Sequence, residues 1–305
     1  MASLQQSKPL IPECEHTNSD TFTWCWMNGE VIESANANVS IFDRGYLYGD
    51  GLFETLRMHQ GNLFQWDRHW ARLESGCEGL GIPMGYSEVE LKTNILDLAQ
   101  KNKTKQCMAR IQVSRGPGAR GYLPPKKVQP TWSITLHPAP VLPPLTPRSW
   151  SLALSKMRTP SDWAFNSWKT TNKLFQTLIK QDARDEDADD AIVLNESGHI
   201  TEISCANLFL VMRNQILTPP LASGVLPGTT RALFLDLAKQ IGIPSQEINY
   251  DLKSLKQADS VFASLSSFGL IHIKRIQDVT YEMHPIELKL YNRYLKHLEA
   301  ETSTI

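Results

Sequence analysis

Residues 138–147 read Pro138-Ala139-Pro140-Val141-Leu142-Pro143-Pro144-Leu145-Thr146-Pro147, five prolines in ten residues. Each proline fixes its φ and removes a backbone donor, so the run can be neither a helix nor a central strand. It predicts a break in the chain. A small α+β domain is expected over 24–137, an interdomain linker over 138–147 and a large domain over 148–305. Residues 1–23, polar and aperiodic with Pro9 and Pro12, read as a tail. A chain of 305 residues has the length for two medium domains.

Periodicity fills in both halves. Asn28-Gly29 between two apolar runs is a hairpin signal. Gly51–Met58 alternates like a half-buried strand, and Trp66, Trp70, Leu73 and Leu80 are spaced as one face of a helix with Asp67 as its cap. A second helix is expected over Tyr86–Lys101, capped by Ser87, and strands over Met108–Ser114 and Thr131–Leu136. Beyond the linker come a strand at Trp150–Lys156, a helix near Lys173–Ala183, strands at Ala191–Asn195, Leu208–Met212 and Gln215–Thr218, a helix at Thr229–Gly242, a strand at Ser260–Leu265 and a closing helix at Pro285–Glu299. Strands and helices mix without strict βαβ alternation, which favours α+β over a doubly wound sheet.

Composition removes several function classes. Lys plus Arg number 31 against 32 Asp plus Glu, a net charge of -1, so a general electrostatic grip on nucleic acid or anionic lipid is not expected. No run approaches a membrane span and the N-terminus has no leader pattern, so a soluble cytoplasmic protein is expected. The cysteines, Cys14, Cys25, Cys77, Cys107 and Cys205, lack CxxC spacing and read as reduced, mostly buried thiols. The histidines form no HxxxH or HExxH pair, and Asp185–Asp190 lacks the spacing of a calcium loop, so no metal is expected and the acidic run reads as a solvated turn. GxSxG is absent. Gly116-Pro117-Gly118-Ala119-Arg120-Gly121 matches GxGxxG, but Leu123-Pro124-Pro125 follows where a dinucleotide site needs a helix. It reads instead as a flexible loop carrying Arg115, Arg120 and Tyr122. Gly228-Thr229-Thr230-Arg231 opens a helix with two hydroxyls and free N–H groups, either an anion site or a plain N-cap.

Four segments in order carry a resemblance: Asp43-Arg44-Gly45-Tyr46-Leu47-Tyr48-Gly49-Asp50-Gly51-Leu52-Phe53-Glu54, Arg68-His69-Trp70-Ala71-Arg72-Leu73, Lys169-Thr170-Thr171-Asn172-Lys173-Leu174 and Thr201-Glu202-Ile203-Ser204-Cys205-Ala206-Asn207-Leu208-Phe209. With Gly228-Thr229-Thr230-Arg231 they resemble the class-IV pyridoxal-phosphate enzymes over about residues 24–280. The resemblance implies a two-domain fold-type IV architecture, a smaller N-terminal α/β domain and a larger C-terminal pseudo-barrel domain, with pyridoxal 5'-phosphate as cofactor. It puts the Schiff-base lysine at Lys169, in a turn opening a helix, and the acid beside the pyridine nitrogen at Glu202. Arg72, Thr229, Thr230 and Ser266 take the phosphate-binding positions. Phe53, Arg120 and Tyr122 take substrate-binding positions, with Arg120 and Tyr122 reaching in from the partner subunit of a homodimer.

Within that family, Ser114-Arg115-Gly116-Pro117-Gly118-Ala119-Arg120-Gly121-Tyr122 and Lys169-Thr170-Thr171-Asn172-Lys173-Leu174-Phe175-Gln176 resemble the aminodeoxychorismate lyases. The implied reaction converts 4-amino-4-deoxychorismate to 4-aminobenzoate and pyruvate, a step of folate synthesis. The alternatives are an aminotransferase for D-amino or branched-chain amino acids with a 2-oxo acid acceptor, and a non-catalytic pyridoxal-phosphate-binding protein. In D-amino-acid aminotransferases a histidine stands at the position of Tyr122. His272 stands where many relatives carry proline before an apolar residue, a departure close in sequence to the loop near the phosphate.

Overall fold

The computed structural model describes residues 22–303, so the tail expected over 1–23 lies almost wholly outside the described residues. The first part of the chain forms β1 (Trp24–Met27), β2 (Glu30–Glu33), α1 (Arg44–Tyr48), β3 (Gly51–His59), β4 (Asn62–Leu63), α2 (Trp66–Leu80), α3 (Glu88–Lys101), β5 (Cys107–Ser114) and β6 (Thr131–Pro138). Its six strands make an antiparallel sheet in the order β2-β1-β6-β5-β3-β4. Asn28 and Gly29 take positive φ, 50° and 102°, and turn the β1–β2 hairpin as their sequence demands. Along β3, Leu52, Leu56 and Met58 face Leu73 and Cys77 of α2 and Leu91, Ile95 and Leu98 of α3 in one core. Phe53 alternates onto the opposite face.

Ser87 caps α3 in a capping box with Glu90. Asp67 does not cap α2. Glu301 of the C-terminal helix accepts from the Gln65 backbone N–H at 2.6 Å, the helix starts at Trp66, and Asp67 is left in its first turn.

The second part forms β7 (Arg148–Thr159), α4 (Leu174–Asp185), β8 (Asp190–Asn195), β9 (Ile200–Ile203), β10 (Asn207–Met212), β11 (Gln215–Thr218), α5 (Thr229–Gln240), β12 (Ser245–Glu247), α6 (Leu252–Lys256), β13 (Ser260–Leu265), β14 (Gly269–Ile276), β15 (Val279–Thr280) and α7 (Pro285–Thr302). The sheet order is β12-β11-β10-β13-β14-β7-β8-β9, and β9 returns to pair with β10 through Glu202 and Asn207. That last pairing closes six strands, β10-β13-β14-β7-β8-β9, into a barrel filled by Leu152, Ile192, Leu208, Ala263, Ile271 and their neighbours. Glu202 therefore sits on the closing seam.

The proline run holds the two sheets together rather than merely separating them. Pro138 ends β6 itself. Arg57 of β3 donates to the carbonyls of Pro140 and of Ser267, which follows β13, and the Tyr291 hydroxyl of α7 donates to the Pro143 carbonyl at 2.7 Å.

A second expectation fails here. The acidic run is not wholly solvated. Asp190 is fully buried and accepts from the Lys180 ammonium at 2.8 Å and the Ser204 hydroxyl at 2.7 Å, because the run leads straight into barrel strand β8. His272 lies buried in β14, bonded to Glu287 at the start of α7 and to the Tyr281 carbonyl.

Candidate active site

A cavity of about 660 Å³ opens between the Phe53 face of β3 and one end of the barrel. Lys169, Glu202, Arg72, Thr229, Thr230, Ser266 and Phe53, residues far apart in sequence, all line it.

Arg72 reaches the cavity from α2. Its Nε and one Nη2 hydrogen bond to the two oxygens of Glu54 at 2.7 and 2.8 Å, and Nη1 donates to the Pro227 carbonyl at 3.0 Å. Of five N–H groups two remain for an anion. Glu54 is 1 % exposed; burial drives its carboxyl up, but the charge and hydrogen bonds of Arg72, with help from His69, more than reverse that and hold it at about 2. An ionised Glu54 fixes the His69 tautomer. Nδ1 must carry the proton toward Glu54 at 2.7 Å, and Nε2 is left to accept from the Thr229 hydroxyl at 3.3 Å. Burial, opposed by Glu54, lowers the proton affinity of His69, in keeping with a neutral ring.

Lys169 lies in an extended segment, not in the helix-opening turn expected for it, and α4 begins only at Leu174. The segment is stitched to β3: the Phe53 N–H donates to the Lys169 carbonyl at 2.9 Å, Leu52 bridges to Thr170, and the Thr171 N–H and hydroxyl reach the carbonyls of Gly51 and Gly49. Gly49 is required there, with φ of 66° and room for no Cβ beside Asn172 at 2.9 Å. The Lys169 amine stands 4.7 Å from the centre of the Phe53 ring and has no hydrogen bond or ion pair among the described residues. Burial, then the charge of Arg72, lowers its pKa to about 8.

Glu202 shows the opposite displacement. Burial raises its carboxyl to about 7, although the Leu226 N–H opposes this from 3.1 Å. The Asn207 amide also donates to the same oxygen, Oε2, at 3.0 Å, which leaves Oε1 without a protein donor. Asn207 is close because Gly228 has no side chain; a Cβ there would sit 2.0 Å from Asn207 Oδ1. Gly228 is also the N-cap of α5 and makes no side-chain bond, so neither threonine is spent as a cap. The Thr230 hydroxyl instead meets that of Ser266 at 3.5 Å, beside the free N–H groups of the first turn. Ser264, 2 % exposed, also points a hydroxyl without partner at this wall.

The arrangement fits pyridoxal 5'-phosphate. It offers two spare guanidinium N–H groups, a helix N-terminus and two hydroxyls for the phosphate, a carboxylate oxygen without a donor for the ring nitrogen, and an amine of depressed pKa for the aldehyde.

The glycine-rich loop, expected to be flexible, is hydrogen-bonded near both ends to residues 44–50. Arg115 is buried and bonds both oxygens of Asp50 and the carbonyls of Leu80 and Gly81. Arg44, 3 % exposed, bonds Asp50 and the carbonyls of Gly121 and Tyr122. Tyr48 receives the Gly121 N–H and packs edge-on against Tyr122. Arg120 and Tyr122 are therefore presented outward, exposed, and do not line the cavity of their own chain.

Residues 51–276 match the family described as amino-transferase class IV. The chain belongs to the class-IV aminotransferase family. The family is one of pyridoxal-phosphate-dependent enzymes, aminotransferases and lyases alike. The chain is 30 % identical to a D-alanine aminotransferase of Bacillus licheniformis over 83 % of its length and 88 % of the relative's. It is 29 % identical to an aminodeoxychorismate lyase of Bacillus subtilis, covering 90 % and 96 %. A branched-chain amino acid aminotransferase of Escherichia coli superposes with a TM-score of 0.86 at 25 % identity, over 92 % of this chain and 96 % of that one. Class-IV membership thus comes with relatives named for three reactions.

Sequence reasoning missed Glu54, His69, Asn207 and Lys173, all at this site. Glu54 and Asn207 lay inside quoted motifs, and the i, i+3 spacing of His69 and Arg72 on one helix face was a readable sign. Cys205, expected among mostly buried thiols, is exposed at the cavity, whereas Cys25, Cys77 and Cys107 are buried and free; Cys14 lies outside the described residues. No helix among the described residues is long and apolar enough to cross a membrane, and they hold no cluster of metal ligands.

Proposed function

We propose that this enzyme binds pyridoxal 5'-phosphate through Lys169 and is a lyase that converts 4-amino-4-deoxychorismate into 4-aminobenzoate and pyruvate. The observation that carries the reading is the clamped loop from Ser114 to Tyr122. Its lyase-like sequence is fixed by Arg44 and Tyr48 so that Arg120 and Tyr122 face outward together. Tyr122 stands where D-amino-acid aminotransferases carry histidine, and Arg120 keeps a forked grip for a carboxylate.

The bound cofactor supplies an electron sink for the bond changes at the substrate. Arg72, Thr230, Ser266 and the N-terminus of α5 anchor its phosphate. Glu202, held by Asn207 and Leu226 through Oε2, keeps Oε1 for the proton on the ring nitrogen. Lys169, the amine that would link to the cofactor, would take the proton from the ring carbon that bears nitrogen and return it to the methylene carbon of the departing enolpyruvyl group. Loss of pyruvate then leaves an aromatic ring, so the protein's work is chiefly orientation.

The same reading makes the enzyme a homodimer in which Arg120 completes the neighbour's site, since it does not reach its own. Purified protein with 4-amino-4-deoxychorismate and no 2-oxo acid is expected to release 4-aminobenzoate. The reading fails if that product is absent while D-alanine and 2-oxoglutarate turn over. Mixing Lys169→Ala with Arg120→Ala subunits is expected to restore activity through hybrid dimers; background activity after confirmed exchange would return Arg120 to its own subunit.

A further inference from the structure

A second lysine shares the cavity with Lys169. Lys173, the N-cap residue of α4, makes no capping bond and turns its ammonium inward, 5.6 Å from the centre of the Phe53 ring that Lys169 approaches to 4.7 Å. Its ammonium has no hydrogen bond or ion pair among the described residues. Two amines over one ring, neither with a carboxylate at ion-pair distance, is an unfavourable arrangement unless one amine gives up its proton.

The groups around the pair decide which cations remain uncompensated. From α2, Arg72 is neutralised by two contacts with Glu54 of β3, and His69 is bonded to the same carboxylate. From β9, Glu202 attracts both lysines, but burial brings its carboxyl up to about 7, so at neutral pH it offers only part of a charge. From β5, Arg110 lies 3.9 Å from the centre of the Phe53 ring and repels Lys173. Lys173 is thus the amine beside Lys169 that no acid cancels, and its charge is among those lowering the proton affinity of Lys169.

We propose that Lys173 is a positioning residue for Lys169, its ammonium set over the same Phe53 ring so that the Lys169 amine gives up its proton more readily and a larger share of it is nucleophilic near neutral pH. The sequence motif holds both lysines, and the resemblance names a role for Lys169 alone. The cavity gives them different parts: one reacts, the other keeps it reactive without touching substrate. The inference rests on the proposed reading of Lys169 as the lysine that links to the cofactor, but it concerns a property that the full chain has without cofactor.

The test is graded-pH acetylation of the cofactor-free full chain with acetic anhydride, read at the Lys169 peptide by mass spectrometry. Wild type and Lys173→Arg, which keeps the charge, are expected to share a midpoint near pH 8. Lys173→Gln is expected to move it up by about one pH unit, so that labelling of Lys169 at pH 7 slows about tenfold. Lys173→Met, equally neutral and more apolar, replaces Lys173→Gln if the amide variant does not fold. An unchanged Lys169 midpoint in a folded neutral variant overturns the proposal. Separately, pyridoxal phosphate and borohydride applied to wild type are expected to label Lys169; label elsewhere defeats the functional reading and leaves the midpoint comparison intact.

Discussion

Two groups of buried charges meet at the cavity and differ in kind. In the small-domain group, Glu54, Arg72 and His69 satisfy one another at 2.7 to 2.8 Å, and the carboxyl of Glu54 sits far below its usual range. In the barrel-side group, Lys169, Lys173 and Glu202 have no ion pair within hydrogen-bond reach, and each is displaced toward its neutral form, chiefly by burial. Paired buried charges are compensated before anything binds. Unpaired ones raise the free energy of the empty protein and are relieved by whatever binds there.

The sharpest break of that contrast is Lys169→Ala, expected to cut turnover on the order of a thousandfold or more while leaving the fold intact, since an unpaired group is removed. Steady-state rates beside an unfolding curve check both halves. Glu54→Gln attacks the other side. It leaves Arg72 buried with its charge uncompensated, and urea unfolding is expected to show a loss of about 3 to 5 kcal/mol, with cofactor affinity falling too.

The third expectation uses pH. Between 4.5 and about 7 the folded protein holds the Glu202 proton more tightly than the unfolded chain, so stability falls as pH rises through that window. Between about 8 and 10.5 the unfolded chain holds the Lys169 proton more tightly, so stability rises with pH. Each shift is worth about 3 kcal/mol. Cofactor-free protein should therefore be least stable, and its Tm gain from cofactor largest, near pH 7 to 8, as thermal melts across pH would show. A Tm gain independent of pH would mean that the cofactor does not engage these two groups. The smallest effect is expected from Thr230→Val, which removes one hydroxyl of the proposed phosphate site and should weaken cofactor binding about tenfold, by roughly 1.5 kcal/mol, as measured by fluorescence titration.

The same contrast marks what the sequence could disclose. Local signals were readable: Asn28-Gly29 turned its hairpin, Gln215–Thr218 and Ser260–Leu265 formed the strands expected, and Thr229 opened a helix at the residue named. The resemblance named seven residues that line the cavity, although Lys169 lies in an extended segment and not in the turn expected for it. What escaped depends on distant partners. β9 is four residues long and its strand character comes from closing the barrel, and α1 spans five residues whose Arg44 matters through a loop some eighty positions away. The charge state of Glu54 is set by α2, and burial of Asp190 by Lys180 and Ser204, neither visible in a local window.

The stitching of Lys169 to β3 has a mechanical consequence. Lys169 belongs by sequence to the barrel half, yet its main chain is an added edge of the other sheet, through Phe53, Leu52 and Gly51. Such a joint is a weld and not a hinge. The two halves cannot swing apart to admit a substrate without tearing away the backbone that aims the amine, so passage in and out has to come from side chains and loops at the rim. Hydrogen exchange offers a direct view: the amides of Phe53 and Thr171 should be among the slowest at the cavity, protected to the level of the cores on either side.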